Sequence, residues 1–258
     1  EGSLCHRLFA GPTGIDPYAS ASSDVYQDLF GRGTYVGKGL YDVDAFRSAL
    51  EGRVPESALL SHDHFEGAFA RCGLVSDIEL FDDHPTSREA DARRHHRWAR
   101  GDWQLLPWIL GRPPEVRDRD VPARPPLLGW WKMADNLRRT LSAPSALLLL
   151  VTGWLAAPVS PLLWTAFVVA TVAVPAAVPV AGGLVPRRRP TTLRAHVRGA
   201  AAEAAEAAAR VGVELVLLAD RAWLMADAAL RTLVRVLVTR RHLLEWTPAA
   251  LAGRGLGG

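Results

Sequence analysis

Three groups of residues in this chain have the types and spacing to do chemistry. The first is SHDHFEG at 61–67, where Asp63 stands between His62 and His64. An aspartate so placed can act as a general base, and with His62, His64 and Glu66 it offers the donors of a metal site. Neighbours in sequence point different ways and rarely hold one ion, so the metal reading is set aside, while a plain surface loop stays open. The second group is RRHHRWARGDWQ at 93–104, which places Arg93, Arg94, Arg97 and Arg100 beside Trp98 and Trp103. On a helix Arg93, Arg97 and Arg100 share a face, with Arg94 beside it. Such a cluster fits a phosphate or a basic surface equally well, and tryptophan beside arginine also suits a sugar groove. The third group is Gly37-Lys38-Gly39. It lets the backbone approach a sugar or phosphate closely, with Lys38 as a cation, or it is a tight turn.

The elements that must position these residues are readable in part. DVYQDLF (24–30) and DVDAFRSAL (42–50) each open on an acid suited to the first turn of a helix. Between them GRGTYVGKG supplies a loop around a short strand-like TYV, and LVSDIELF (74–81) alternates as a strand does. Residues 87–106 carry charge and aromatics at helical spacing. This interleaving predicts an α/β domain over 1–112.

Beyond it, RPPEVRDRDVPARPP (112–126) is a Pro- and charge-rich linker, and WWKMADNLRR (130–139) sets aromatics beside cations as at a lipid headgroup layer, so 113–139 is read as linker and membrane-interface segment. From Thr140 to Pro186 there is no Asp, Glu, Lys, Arg or His. A single helix of that length would run roughly 70 Å at about 1.5 Å per residue, more than twice a hydrocarbon core of about 30 Å. Two helices fit, turning at Ala157-Pro158-Val159-Ser160-Pro161, with spans at about 141–157 and 161–184 and kinks at Pro175 and Pro179. Arg138 and Arg139 with Lys132 before the pair, and Arg187 to Arg189 after it, predict both ends in the cytosol. At 100° per residue, the charges from Arg210 to Arg235 fall within roughly 140°, which predicts an amphipathic helix on the bilayer or against another helix, within a helical cytoplasmic segment 190–247. Residues 248–258 read as a flexible tail.

The formal charge of +3 is too small to argue for nucleic acid, and Cys5 and Cys72 lack the spacing of a zinc site or a disulfide framework. Two free thiols fit a reducing compartment. The chain begins at Glu1 with no signal-peptide pattern and reads as a piece of a longer protein.

An acidic motif ending in Asp63, an arginine-rich motif ending in Arg97-Trp98, then membrane helices: this order resembles the processive membrane glycosyltransferases. Their second motif usually begins with glutamine, where this chain has Arg94. IDPYASASSDVYQDLFG, TYVGKGLYDVDAF, LLSHDHFEG, RRHHRWARGDWQLLPWI and VTRRHLLEWT together resemble the cyclic β-1,2-glucan synthase family. The resemblance implies the rear of a GT-A-like glucosyltransferase domain in the bacterial inner membrane, multi-pass, with the transferase portion facing the cytosol. It implies UDP-glucose as donor, a β-glucan acceptor, the lipid bilayer as a partner and a divalent cation (Mg or Mn). The Asp42-Val43-Asp44 pattern is not where such enzymes carry their metal motif, so the cation's ligands and the uridine pocket are expected in a transferase half upstream of Glu1. A phosphorylase-like region is expected downstream, and the fragment alone is expected to be inactive.

In that frame Asp63 is the base of an inverting displacement, taking the proton of an acceptor hydroxyl. Arg97 and Arg94 would stabilise the departing diphosphate, and Trp98 would stack the acceptor ring. The alternatives are a related osmoregulated periplasmic glucan glucosyltransferase of different linkage, or a non-catalytic membrane-anchored assembly subunit.

Overall fold

The structure, a computed structural model, describes residues 24–55, 57–60, 63–75, 77–78, 88–114, 124–156, 160–184 and 192–245. Its elements in chain order are α1 (Val25–Phe30), α2 (Val43–Leu50), α3 (Asp63–Ala70), α4 (Arg88–Gln104), α5 (Leu106–Ile109), α6 (Leu127–Leu155), α7 (Pro161–Leu184), α8 (Leu193–Val216) and α9 (Leu218–Val234), which runs into a π-helical turn at Arg235–Thr239.

The α/β expectation is overturned: among the described residues every regular element is helical and none is a strand. TYV belongs to no regular element and joins no ladder among the described residues. Gly33 donates its N–H to the Cys72 carbonyl at 2.8 Å. One residue pair further on, the Gln27 side chain intervenes, accepting from Leu74 N–H and donating to Leu74 C=O at 3.1 Å. A strand needs successive backbone pairs, and here a side-chain amide satisfies the groups that would have made the second. Most of the other strand-like segment, 74–81, lies outside the described residues.

The two acidic helix starts are as the sequence indicates. Asp24 caps α1 by accepting from Tyr26 N–H at 3.0 Å, and Asp42 caps α2 by accepting from Ala45 N–H at 2.8 Å.

The chain divides into two compact units. The larger includes the described residues up to Leu141 and those from Leu224 onward. Its core gathers Leu59, Phe65, Leu105, Trp108 and Met133, with Phe69 and Ile109 packed against them. Phe65 is wholly buried and meets the Trp108 ring edge-on at 5.3 Å. Burying one such ring stabilises a fold by about 2–3 kcal/mol. Here it also pins α3 by its third residue.

The second unit comprises Ser142–Trp223. The end of α6 and the start of α7 lie side by side. Trp154 Nε1 donates to Thr165 Oγ1 at 2.9 Å, Trp164 Nε1 donates to the Leu149 carbonyl, and the Trp164 indole occupies the space a side chain at Gly153 would need. Leu150, Val168 and Leu218 form the small core, and α8 packs along α7.

The expected helical pair at 141–157 and 161–184 is revised at its first member. No new helix starts near 141, because α6 runs unbroken from Leu127 through the aromatic–basic segment to Leu155. Seven of the twelve residues of 130–141 are good helix formers and none is glycine or proline, so nothing there stops propagation. Among the described residues one helix, α7, is long and apolar enough to cross a membrane. Only 6% of its most apolar stretch is buried, and Leu162, Leu163, Phe167, Val174 and Val178 are exposed. The amphipathic helix expected over 210–235 is two helices, α8 and α9, divided at Leu217.

Candidate functional site

Asp63 is not a loop acid. It is the first residue of α3, where unpaired N–H groups and the helix dipole favour a carboxylate. Contacts on every side fix α3. Phe65 anchors one face in the core. Gly67 lies against Tyr35 so closely that an added β-carbon would stand 2.7 Å from Tyr35 Cβ. Ala68 meets Gly129 of α6, where a β-carbon would come within 2.5 Å of Ala68 Cβ. The approach to the helix is also held: Leu60 N–H donates to Gln104 Oε1 at 2.6 Å, and Leu59 is buried.

Gly37 is brought to this carboxylate. Its φ is +83°, and a β-carbon there would lie 2.9 Å from Asp63 Oδ2 and 3.2 Å from Oδ1. The glycine therefore serves two needs, a left-handed backbone and close approach to Asp63. Gly39 meets only the rim of Tyr35 at van der Waals distance, and Lys38 beside it is exposed. The segment leading into this loop is tied down by Lys132, whose ammonium donates to the Gly33 carbonyl and to Thr34 Oγ1, both at 2.8 Å. Burial lowers the pKa of that lysine. It holds the loop to α6 from within the segment read as a membrane flank.

Two residues of α4 belong to this neighbourhood and were not singled out from sequence. Asp102 accepts from Asn136 Nδ2 at 3.1 Å. Burial pushes its carboxyl up to about 7; the Asn136 hydrogen bond opposes that rise and the negative charge of Asp63 adds to it. The two aspartates thus feel one another. Gln104 is 3% exposed and bridges two segments, accepting from Leu60 and donating to the Leu243 carbonyl at 2.9 Å. The available signal was helical spacing: Asp102 follows Trp98 by four residues on one face.

The arginine-rich motif lies further up α4. Arg94 donates to Asp91 Oδ1 at 3.0 Å and places its guanidinium 4.8 Å above the Trp98 ring, while His95 meets that ring edge-on at 5.3 Å. Trp98 is 37% exposed. Its open area is what remains beside Arg94. The face shared by Arg93, Arg97 and Arg100 runs from solvent inward: Arg93 is exposed, Arg97 intermediate and Arg100 buried. Electrostatic coupling links Asp63 to Asp102 on the motif's helix. Of the two cavities described, neither is lined by Asp63, Arg94, Arg97 or Trp98.

No three His, Cys, Asp or Glu side chains among the described residues are placed to share a metal ion. The family-implied cation therefore does not fit the residues described, and no step below is routed through it. Cys72 is a free thiol whose Sγ lies 3.4 Å from the Gly33 carbonyl, and burial raises its pKa. Cys5 and the positions Ser61 and His62 lie outside the described residues.

The chain thus carries a helix-borne aspartate with a glycine fitted against it and a tryptophan–arginine pair on α4, and its similarity is to a glucan synthase. The relative is cyclic beta-(1,2)-glucan synthase NdvB of Rhizobium meliloti (strain 1021), 43% identical over 251 residues. The match covers 97% of this chain and 8% of the relative, so the chain spans a small part of that protein's length. No protein-family model matches the chain.

Proposed function

We propose that this chain is the rear portion of a membrane glucosyltransferase that extends a β-1,2-glucan from UDP-glucose. The observation that carries the reading is the 43% identity to a cyclic β-1,2-glucan synthase along nearly the whole chain. The fit of Gly37 against Asp63 supports a role for that carboxylate beyond solubility.

In this reading Asp63 removes the proton of an acceptor hydroxyl as the donor's anomeric carbon is inverted. Its place at the start of α3 sets the carboxylate beside the unpaired N–H groups and positive end of the helix dipole. Neighbouring Asp102, with its raised pKa, is largely protonated below about pH 7 and so limits the repulsion Asp63 experiences. Arg97 and Arg94 face the departing diphosphate. Arg94 does so from a position already braced by Asp91 and Trp98. The exposed apolar surface of α7 supports a place for this segment in the bacterial inner membrane, with the transferase portion in the cytosol. In this reading the ligands of a divalent cation lie outside the described residues.

The test is the product. Membranes containing the full-length protein are supplied with radiolabelled UDP-glucose, and the glucan is examined by methylation. Glucosyl residues substituted at O2 are expected. A different linkage would assign the chain to the osmoregulated glucan glucosyltransferases, and no glucan at all would favour an assembly subunit.

A further inference from the structure

Two carboxyl groups on different helices are referenced to one face of α6. Lys132 ties down the segment leading to Gly37, donating to the Gly33 carbonyl and to Thr34 Oγ1, and Gly37 in turn backs the carboxylate of Asp63. One turn further along α6, Asn136 donates to Asp102 Oδ1 at 3.1 Å. Lys132 and Asn136 stand four residues apart and so share a face, and Met133 between them packs in one core with Phe65 of α3. We propose that Asp102 is a positioning residue of the transfer reaction: it touches no substrate, and its charge sets how strongly Asp63 holds a proton. This inference rests on the reading of Asp63 as the base.

One charge governs another only if the distance between them is held. Asp63 is held by its place at the start of α3 and by Gly37, whose β-carbon position lies 2.9 Å from Oδ2. Asp102 is held by Asn136, and the two residues after it fix α4 against its neighbours. Trp103 Nε1 donates to Thr140 Oγ1 of α6 at 2.9 Å, and Gln104 Oε1 accepts from Leu60 N–H, three residues before Asp63. The charges around Asp102 are sparse. From α3 the charge that reaches it is that of Asp63. From α6 it meets the neutral amide of Asn136, while Lys132 is engaged with Gly33 and Thr34, and Asp135 with Arg138 and Arg139. On its own helix Arg100 donates to the Glu245 carbonyl. Asp102 makes no ion pair among the described residues, so no salt bridge cancels its charge once it ionises.

Burial and the charge of Asp63 keep the proton on Asp102 up to about pH 7. Below that pH Asp63 stands beside a neutral acid. Above it a second carboxylate raises the affinity of Asp63 for a proton, and a stronger base, itself still ionised, takes the proton of an acceptor hydroxyl more readily. In the step itself the acceptor oxygen bonds to the anomeric carbon, and the bond from that carbon to the diphosphate breaks with its electron pair on UDP. The hydroxyl proton goes to Asp63, and Asp102 keeps whichever protonation state it began with.

The experiment measures glucose transfer by the full-length protein in membranes, at saturating UDP-glucose, between about pH 5 and about pH 9. Parent, Asp102→Asn, Asp102→Glu and Asn136→Leu are compared. Dividing the parent's rate by that of Asp102→Asn at each pH removes the groups that titrate in both. The ratio is expected to be level in acid and to climb about two- to fivefold through about pH 7 to a second plateau. Asp102→Glu, which can still ionise, should climb as the parent does. Asn136→Leu removes a bond that favours the ionised form of Asp102, so its climb should come at higher pH than the parent's. A merely structural role would lower the rate by one factor at every pH, so a level ratio overturns the inference, as does a climb in Asn136→Leu at or below the parent's pH. If Asp102→Asn does not reach the membrane, the position of the climb in Asn136→Leu decides alone. Asp63→Asn, run alongside, separates the two claims: loss of transfer with a level ratio removes only the role of Asp102, whereas transfer at the parent's rate overturns both.

Discussion

The carboxylate of Asp63 fills the space that a side chain at Gly37 would occupy, with Oδ2 2.9 Å from the β-carbon position. Two segments far apart in sequence are thus fitted to one another at the scale of a single methyl group. Gly37→Ala faces both that clash and a φ of +83°, where a left-handed non-glycine residue alone costs about 1–2 kcal/mol. Thermal unfolding should register the loss. In the full-length protein glucose incorporation should fall further than stability does, because the displaced group is the carboxylate itself. Activity and stability like those of the parent would show that the loop has room to move.

Asp102 predicts a pH effect with a definite sign. Its folded-state value of about 7 lies above the ordinary carboxylate range, so the folded chain holds that proton more tightly than the unfolded chain. The stability it contributes is complete below the unfolded value and is lost as pH rises through about 7. Asp102→Asn removes the charge while keeping an acceptor for Asn136. It should therefore raise the melting temperature at pH 8, by roughly 2–4 °C for each kcal/mol relieved, and change it little at pH 4. A lower melting temperature at pH 8 would mean that the ionised form is the one the fold prefers.

Gln104 joins the loop before α3 to the segment after α9. Gln104→Ala leaves the Leu60 N–H and the Leu243 carbonyl without their partner, at about 1–3 kcal/mol for each group left dry. Chemical denaturation should show a loss of that order. Gln104→Glu keeps an acceptor for Leu60 but removes the donor to Leu243, and should fall between the two. Equal stability of all three would show that water replaces these bonds.

What the sequence made legible was local. Asp24 and Asp42 announced their helices because a cap acts within three residues. The helical spacing of 87–106 was visible for the same reason. The strand expected at TYV failed because strand formation depends on a distant partner. Gln27, forty-seven residues from Leu74, took the bonds a ladder would have used. Asp102 and Gln104 were overlooked because their significance lies in what reaches them from Asn136, Leu60 and Leu243. Nothing at Leu217, neither glycine nor proline, marks the break between α8 and α9.

The membrane assignment of α7 can be tested directly. Val174 is 53% exposed near the middle of that helix. Val174→Arg would cost about 3 kcal/mol at a bilayer centre and next to nothing in water. After alkaline extraction, the altered protein should leave the membrane fraction more readily than the parent. Unchanged retention would locate this face away from lipid.

The most direct test replaces one oxygen. Asp63→Asn in the full-length protein keeps size and shape but cannot accept a proton, and general-base catalysis is worth about 10²–10⁴-fold. Glucose transfer from UDP-glucose should drop by at least about a hundredfold, with UDP affinity and membrane insertion unchanged. Transfer at the parent's rate would contradict the assignment of Asp63 as the base.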